Sequence, residues 1–525
     1  MKHITPVIFV CLFLVLFPGF TAAQEENAAV YVIWTQNITF HITGRTRPFA
    51  ILHNGEFNDG EELRGTAGLE KYIRDKTQLL INQRVLEEAS IEYTLGEPEA
   101  DGRIPVYLEI SVKDTWNLIA VPYPKYDTNT GFELITKARD YNFFGTMNPL
   151  RIDLGYKYDE NNRNAVVFEI DSDTPFRAFG YNWNLNFDHF FSYRPDVAEP
   201  FYYKNVTGLS MELPFKRTTF TFGFAESFTL NEENDDRYKN LGFNDFQKGP
   251  YMASKLSSSW KIPTGVEIPA SGELTYTPEL SLTVNHEFQG HPLDDIRRGP
   301  FIKFSHSIGF DRIDWIGNFR RGFDVSMNNS YNYDFHQYAG GEKNPDIDYS
   351  ISGIGHIIIT DNFGISGQLQ FRHWFYQNPA YYDKAGNALR GLLDKSIQAD
   401  YMLSLNLDFP FKLFSFLPSQ WFGVSKLRFF DFDLHLSPII DLALYHDPQT
   451  GTAFDPRNIL AAGGIEIIVF PAFMRSLYIR LSLAWNFVES VNNPSGSYLP
   501  SWLPVIPKLP GGDNREIFVG IGHHY

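Results

Sequence analysis

The chain has 525 residues, of which 16% are aromatic and 20% are charged, and its formal net charge is −17. Its mean hydropathy of −0.25 excludes a bundle of membrane-spanning helices. The acidic balance argues against a nucleic-acid partner, because no basic stripe is available to release counterions. The 47 Phe and 28 Tyr are too many for an ordinary soluble domain of this size. A membrane barrel explains them as aromatic girdles at its two interfaces, and a large soluble sandwich or propeller is the alternative.

Residues 1–23 have the parts of a secretory signal peptide. Lys2 precedes an apolar run from Ile8 to Phe20 that is too short to span a membrane, and small residues ending at Ala23 provide a cleavage site. The only cysteine, Cys11, lies inside this run. We therefore expect a mature chain with neither a disulfide framework nor a thiol nucleophile.

Residues 30–115 predict a small mixed α/β domain. An alternating strand from Ile38 to Ile42 is followed by a short helix that Pro48 can open and by a second helix over Thr66 to Asn82. Two strands follow, Ser90 to Leu95 and Val106 to Val112, which gives the order β-α-α-β-β. A generic α/β cap is the alternative to a specialised domain.

From Trp116 to the C-terminus, residues 116–525, alternating segments of about ten to fifteen residues recur between Gly, Pro, Asn and Asp clusters. We count thirteen candidate strands before Arg390 and five after it, about eighteen in total. The last five are Tyr401 to Phe409, Phe430 to Tyr445, Leu460 to Phe470, Leu477 to Phe487 and Ile517 to Tyr525. In a membrane such a sheet must close on itself, because lipid cannot satisfy an open edge.

A polar loop carrying Leu389, Arg390 and Gly391 precedes the first of these five strands. A lone arginine in a surface loop is ordinarily solvated. Here, however, Asp441 lies on the polar face of the next strand, which must face the lumen. A loop folded into the barrel would place Arg390 against Asp441 in a charge-assisted, bidentate pair. The alternative is that the lumen acids only hydrate a pore.

Four segments, in this order, carry a family resemblance. They are Gly131 to Thr146, Leu389-Arg390-Gly391-Leu392, the strand Ile439 to Ala443 around Asp441, and a terminal strand signal formed by Ile517, Val519, Ile521, Gly522 and Tyr525. Together with the α/β domain, they resemble the BamA/TamA-type outer-membrane assembly superfamily, a bacterial surface antigen barrel with a POTRA domain. The chain departs from the family pattern at Leu392, where the family has an aromatic residue, and at Ala443, where it has glycine.

The resemblance implies an all-β transmembrane barrel of about sixteen antiparallel strands, preceded by one small α/β POTRA-like domain in the periplasm. We expect sixteen strands rather than eighteen, because a bulge can make one long strand look like two. It implies a protein of the bacterial outer membrane that inserts outer-membrane proteins or translocates a client through a lateral seam. Its expected partners are outer-membrane lipid, unfolded outer-membrane protein clients and periplasmic accessory proteins. The seam would lie beside a first strand within Trp116 to Asp127, where Pro122 and Pro124 remove ladder donors.

Two other functions stay open at this point. One is a passive or gated outer-membrane channel with a periplasmic docking domain, and the other is a translocation pore for a single partner. No residues form a catalytic constellation, a metal-ligand spacing or a phosphate-binding loop, so we expect neither an enzyme nor a cofactor.

Overall fold

A computed structural model describes residues 29–127, 131–158, 164–195, 200–215, 217–231, 249–268, 271–293, 297–336, 346–375, 383–384, 388–392, 398–447, 452–453, 459–487 and 515–521. The predicted signal peptide, Gly522 and Tyr525 lie outside these residues. The chain forms two compact units. Of the described residues, the first unit contains those from Ala29 to Thr39, Asn58–Asp75 and Ile91–Ile110, and the second contains Phe40–Phe57, Lys76–Ser90 and those from Ser111 onward.

The N-terminal part forms a four-stranded sheet with two helices. Its elements are β1 Val30–Thr43, α1 Pro48–Asn54, β2 Glu61–Arg64, α2 Gly65–Asn82, β3 Leu86–Leu95 and β4 Arg103–Asp114, and the sheet order is β2-β1-β4-β3. In β4, Val106, Leu108 and Ile110 are buried between exposed neighbours, as period-two alternation requires. The sequence did not indicate β2, because its four residues are all polar or charged apart from Leu63.

The remaining strands form one closed antiparallel circuit. They are β5 Leu118–Asp127, β6 Gly131–Asp140, β7 Leu150–Tyr158, β8 Asn164–Ala178, β9 Tyr181–Tyr193, β10 Phe201–Phe215, β11 Thr218–Leu230, β12 Pro250–Ile268, β13 Gly272–Glu287, β14 Phe301–Ile316, β15 Phe319–Asp334, β16 Asp346–Thr360, β17 Phe363–Phe375, β20 Tyr401–Asp408, β21 Phe411–Phe416, β22 Phe432–Asp447, β23 Thr452–Ala453, β24 Leu460–Pro471, β25 Ile479–Asn486 and β26 Arg515–Ile521. A small separate hairpin pairs β18 Asp383–Lys384 with β19 Gln398–Ala399. The predicted fold class, a closed antiparallel barrel behind a small α/β domain, is confirmed.

The number of strands differs from the sixteen that the family resemblance implied. Strands β20 and β21 both lie between β17 and β22 and are two halves of one strand interrupted at Pro410, while β23 only extends β22. Counted this way, the described residues contain eighteen barrel strands, thirteen before Arg390 and five after it. Direct counting of alternating segments therefore gave the number, since alternation is a local consequence of one lipid-facing and one lumen-facing side.

The two faces of the barrel differ in polarity. Outward positions carry large apolar side chains that are 37–56% exposed, among them Leu134, Leu154, Phe222, Phe224, Leu256, Leu280, Ile357, Leu369, Ile440, Ile467 and Leu481. Inward positions on the C-terminal strands are polar and at most 4% exposed, as at Ser404, Asn406, His435, Ser437, Asp441, Glu466 and Ser482. An apolar exterior around a polar interior is the pattern of a membrane barrel. Among the described residues, no helix has the length and apolarity needed to cross a membrane.

The two ends of the barrel have different connections. At one end, here called the turn end, residues 179–180, 216–217, 317–318 and 361–362 each connect two strands. At the other, the loop end, the chain spans residues 231–249, 376–400 and 487–514 between consecutive barrel strands. Membrane barrels of bacteria have short periplasmic turns and longer surface loops.

Within the second unit, the β6–β7 connection is hydrogen-bonded to the ends of β1 and β4. Asn142 donates to Thr46 Oγ1 at 2.7 Å and to Asp114 Oδ2 at 3.1 Å, and Asp114 also accepts from the main-chain N of Thr46 at 3.1 Å. Gly145 accepts from the main-chain N of Arg47 at 2.9 Å, and a Cβ on this glycine would lie 2.1 Å from the Arg45 carbonyl oxygen. The connection is thus fixed by its fit to the preceding strands.

A second set of contacts involves Arg84, which follows α2 in the second unit. Its guanidinium lies 4.0 Å from the centre of the Trp315 ring and donates to the main-chain oxygen of Arg475. Asn82 donates to Asp314 at 2.9 Å and accepts from the main-chain N of Trp315 at 3.0 Å. Burial lowers the pKa of Arg84 to about 10.

Candidate functional site in the barrel lumen

Residues 388–392 of the loop between β17 and β20 lie inside the barrel. Leu389, Arg390 and Leu392 are at most 3% exposed. The two leucines pack with side chains from three strands and the short hairpin, namely Ala399, Met402, Ala443 and Ala462. Small residues on β22 and β24 leave the space that the leucines fill. This segment is called the inserted loop below.

Arg390 binds Asp441 through three hydrogen bonds. Its main-chain N and Nε donate to Oδ2 at 2.7 and 3.0 Å, and Nη2 donates to Oδ1 at 2.6 Å. Asp441 is fully buried on the lumen face of β22. A bidentate contact of this kind fixes the direction as well as the position of the guanidinium. The extra main-chain bond places the loop itself at a defined height in the lumen.

Two further carboxylates surround the same guanidinium. Nη1 of Arg390 lies 2.6 Å from Asp408 Oδ1 and 3.2 Å from Glu466 Oε1. Glu466 also accepts from Nη1 of Arg480 at 3.1 Å. Five buried or nearly buried charged groups thus carry a net charge of −1, with each acid bound to an arginine. Because a buried charge without a partner is costly, removal of one member should disturb the groups that are bound directly to it.

Gly391 lets the inserted loop lie against β25. Its φ is +91°, and a Cβ would lie 2.8 Å from both the main-chain N and C of Trp485. Backbone atoms in a strand cannot move aside as a flexible side chain can. Glycine is therefore required here both for its conformation and for the close approach.

Arg480 connects the charged cluster to the last strand. It stands on the lumen face of β25, and its guanidinium lies 4.4 Å from the centre of the Phe518 ring on β26. A cation over an aromatic face is attracted by the ring quadrupole. A continuous row of contacts therefore runs from Arg390 through Glu466 and Arg480 to Phe518.

The junction of β26 with β5 is called the seam below, and it has the shortest described pairing of the barrel when β20 with β21 and β22 with β23 are each counted as one strand. Only Phe518 with Asp127 and Val519 with Tyr126 are paired in the described residues, whereas β5 and β6 are paired at ten positions. Across the same junction, the Tyr123 hydroxyl donates to the Val519 carbonyl oxygen at 3.1 Å. The Tyr123 side chain of β5 thus binds the main-chain acceptor of Val519 on β26.

Aromatic rings narrow the lumen between the inserted loop and the turn end. The rings of Phe319 on β15 and His435 on β22 are 4.8 Å apart, and His435 lies 4.8 Å from Phe470 on β24. Asn318 donates to Asp433 at 2.8 Å beside them. His435 is thus packed between the rings of Phe319 and Phe470.

The sequence singled out four lumen residues, and the structure brings all four together: Leu389, Arg390, Gly391 and Asp441. Of the terminal strand signal, Ile517, Val519 and Ile521 lie in β26 opposite Leu483, Leu481 and Ile479, in the register of the outward face. Gly522 and Tyr525 lie outside the described residues. The roles assigned to these residues stay predictions.

Sequence reasoning missed Glu466, Arg480 and Tyr123. Glu466 and Arg480 had a usable signal, because each is a charged residue between aliphatic residues of an alternating strand. Tyr123 had none beyond its place between Pro122 and Pro124, since its partner is a main-chain atom almost 400 residues away.

A closed barrel with an apolar exterior, a polar interior and a loop folded into the lumen is the architecture of an outer-membrane barrel protein. No protein-family model matches the sequence, and no curated protein matches it. Similar solved structures include BamA from Haemophilus ducreyi lacking POTRA domains 1–3, with 12% identity and a TM-score of 0.38 over 93% of this chain and 84% of that one. They also include CdiB from Acinetobacter baumannii, with 10% identity and a TM-score of 0.46 over 92% of this chain and 72% of that one. CdiB from Escherichia coli has 10% identity and a TM-score of 0.39 over 97% and 92%. The fold assignment rests on the strand circuit of the chain itself.

Proposed function

We propose that this protein is a non-enzymatic barrel of the bacterial outer membrane that inserts or translocates polypeptide clients through the seam between β26 and β5. The observation that carries the proposal is the short pairing of the seam, which among the described residues has two positions against ten for the adjacent pair of strands. An edge with few hydrogen bonds can separate and accept an incoming strand. The other junctions of the barrel offer no comparable edge in the described residues.

The inserted loop is the element that we propose controls the seam. Its arginine is bound to β22 and β24, and Arg480 carries the row of contacts on to Phe518 of β26. Release of the loop would remove Arg390 from Glu466, and Glu466 would no longer hold Arg480 in one place. The seam strand would then lose its support from the lumen side.

The N-terminal α/β part fits a POTRA-like periplasmic domain that receives clients. Its strand β3 lies at an edge of the four-stranded sheet, and among the described residues β4 is the only strand paired with it. An extended client could add to this edge by β-augmentation. The turn end of the barrel carries the four two-residue connections, which supports its placement toward the periplasm.

Depletion of the protein, followed by quantification of outer-membrane proteins, tests the proposal. We expect the levels of several membrane barrel proteins to fall together, because a seam that binds its clients through main-chain hydrogen bonds accepts different client sequences. A fall of only one surface protein would identify a dedicated translocator instead. Unchanged barrel proteins together with an altered solute permeability would support the channel.

A further inference from the structure

The longest connection at the turn end carries an exposed aromatic patch. Residues 417–431 join β21 to β22 through α3 Pro418–Phe422 and a 3-10 helix, Ser425–Phe430. Five large apolar side chains of this connection, together with Leu413 on the adjoining β21, are 43–70% exposed: Leu413, Trp421, Phe422, Val424, Phe429 and Phe430. These six residues are called the aromatic patch. Apolar clusters of this size on a protein surface mark an interaction site.

The aromatic patch is continuous with the outer face of the barrel. The Trp421 ring lies 5.0 Å from Phe416, which lies 5.3 Å from Phe432, and Phe432 lies 6.4 Å from Phe414. A β-bulge between Lys412 and Phe414 adds a residue to β21. The row of rings therefore leads without interruption from the barrel wall onto α3.

The patch is held in a fixed conformation rather than on a loose loop. Asp431, which is 4% exposed, accepts hydrogen bonds from the main-chain N of Ser419 at 3.0 Å and from its hydroxyl. Gly423 ends α3 with a φ of +66°, so the chain turns back toward β22. Trp421 and Phe422 would have to break these bonds to fold inward, and they therefore stay exposed.

The charges around the patch complement an anionic surface. Residues 409–430 contain Lys412, Lys426 and Arg428 and no acidic residue, in a chain whose net charge is −17. Lys412 is bound to Asp433 on the lumen side and Arg428 is bound to Glu87 at 2.7 Å, so in the described residues Lys426 is the basic side chain that the exposed segment offers to an anionic surface. Aromatic rings interleaved with basic residues are typical of the boundary between lipid headgroups and acyl chains.

We infer that the aromatic patch inserts into the headgroup–acyl boundary of the leaflet at the turn end and binds anionic phospholipid there. The inference rests on the membrane placement in the proposed function, since the partner is the same bilayer that surrounds the barrel. The patch fixes the depth of β21 and β22 in that bilayer. It therefore supports the wall of the barrel that holds Asp441.

Site-specific quenching in the full chain tests the inference. Cys11 is replaced by Ser, and a fluorophore is attached at Phe422→Cys, with Leu256→Cys on the outer wall of β12 and Asp101→Cys in the N-terminal part as matched positions. The protein is reconstituted in vesicles of phosphatidylethanolamine with phosphatidylglycerol. Each label is then quenched by iodide in the water or by lipids that carry a nitroxide near the headgroup.

We expect the label at Phe422 to be shielded from iodide to the same extent as the label at Leu256. The lipid nitroxide should quench the label at Phe422 several-fold more strongly than the label at Asp101. Lys426→Glu should weaken this quenching only when phosphatidylglycerol is present.

Iodide access at Phe422 with shielding at Leu256 would overturn the inference and leave the membrane barrel intact. Iodide access at Leu256 as well would refute the membrane placement itself. Shielding at Phe422 without lipid quenching would mean that a protein covers the patch, which also overturns the inference.

Discussion

Arg390 gives Asp441 three hydrogen bonds, and one of them comes from its main-chain N at 2.7 Å. The pair therefore fixes the backbone of the inserted loop as well as a charge. A lysine at position 390 would lose the bidentate geometry, since an ammonium is a single point of charge.

Arg390→Ala and Asp441→Asn should each destabilise the barrel strongly. Arg390→Ala leaves the fully buried Asp441 without its partner, which costs roughly 3–5 kcal/mol. Asp441→Asn removes the charged acceptor of three Arg390 hydrogen bonds while Asp408 and Glu466 stay beside the guanidinium. The double variant should be less harmful than the two effects added together, because both remove one interaction. Thermal unfolding in detergent and protease sensitivity of the loop measure the effects. Arg151→Ala is the control, because Arg151 pairs with Asp171 while 53% exposed and should shift stability by no more than about 0.5 kcal/mol.

Gly391→Ala should expel the inserted loop while leaving all charges in place. The new Cβ would lie 2.8 Å from the Trp485 backbone, and the φ of +91° disfavours alanine in addition. Protease cleavage within residues 376–400 should become faster. Gly265→Ala is a matched control, because its φ is +82° but nothing lies within 4 Å of its Cβ position. Equal behaviour of the two variants would show that backbone strain alone explains the effect.

Arg480→Gln should loosen β26 without releasing the inserted loop. Glutamine keeps a hydrogen-bond donor near Glu466 but loses the cation over the Phe518 ring, an interaction of about 0.5–2 kcal/mol. Hydrogen exchange of residues 515–521 should become faster, while proteolysis of the loop stays as in the parent protein. Arg217→Gln provides the comparison, since that side chain is 71% exposed at the turn end. Release of the inserted loop in Arg480→Gln would contradict the proposal that the loop controls β26 and not the reverse.

Tyr123→Phe should weaken the seam specifically. The change removes one hydroxyl and frees the Val519 carbonyl oxygen, a loss of about 1 kcal/mol or about fivefold in the opening equilibrium. Faster exchange should be confined to β26 and β5. Tyr181→Phe, at a tyrosine that is 42% exposed, should leave exchange unchanged. If Tyr123→Phe also has no effect, the two main-chain pairs alone hold the seam.

Most of the fold followed from local patterns. The alternation that placed His435 and Asp441 on one face of β22 and Leu434 on the other is a direct property of the strand, and the structure has the same faces. The count of eighteen strands also came from alternation. The family resemblance gave a smaller number, because family membership does not fix how many hairpins a chain contains.

The site was only partly predictable, for a physical reason. Arg390 and Asp441 were linked by motif resemblance and by strand parity, but no local pattern shows which lumen residues reach the same point. Glu466 joins the pair because the stagger of β24 against β22 brings it within 3.2 Å of Nη1. Tyr123 reaches Val519 only after the barrel closes, so its role depends on contacts between the two ends of the barrel sequence.

The most direct test of the account is to lock the seam. Tyr126 and Val519 are register partners on β5 and β26, and opposite residues of antiparallel strands are close enough for a disulfide. In a background without Cys11, Tyr126→Cys with Val519→Cys should block client assembly under oxidising conditions and recover with reductant. Leu481→Cys with Val519→Cys joins β25 to β26 instead and should leave assembly intact in both states. Full client assembly with a quantitatively formed seam disulfide would contradict the proposed route through the seam.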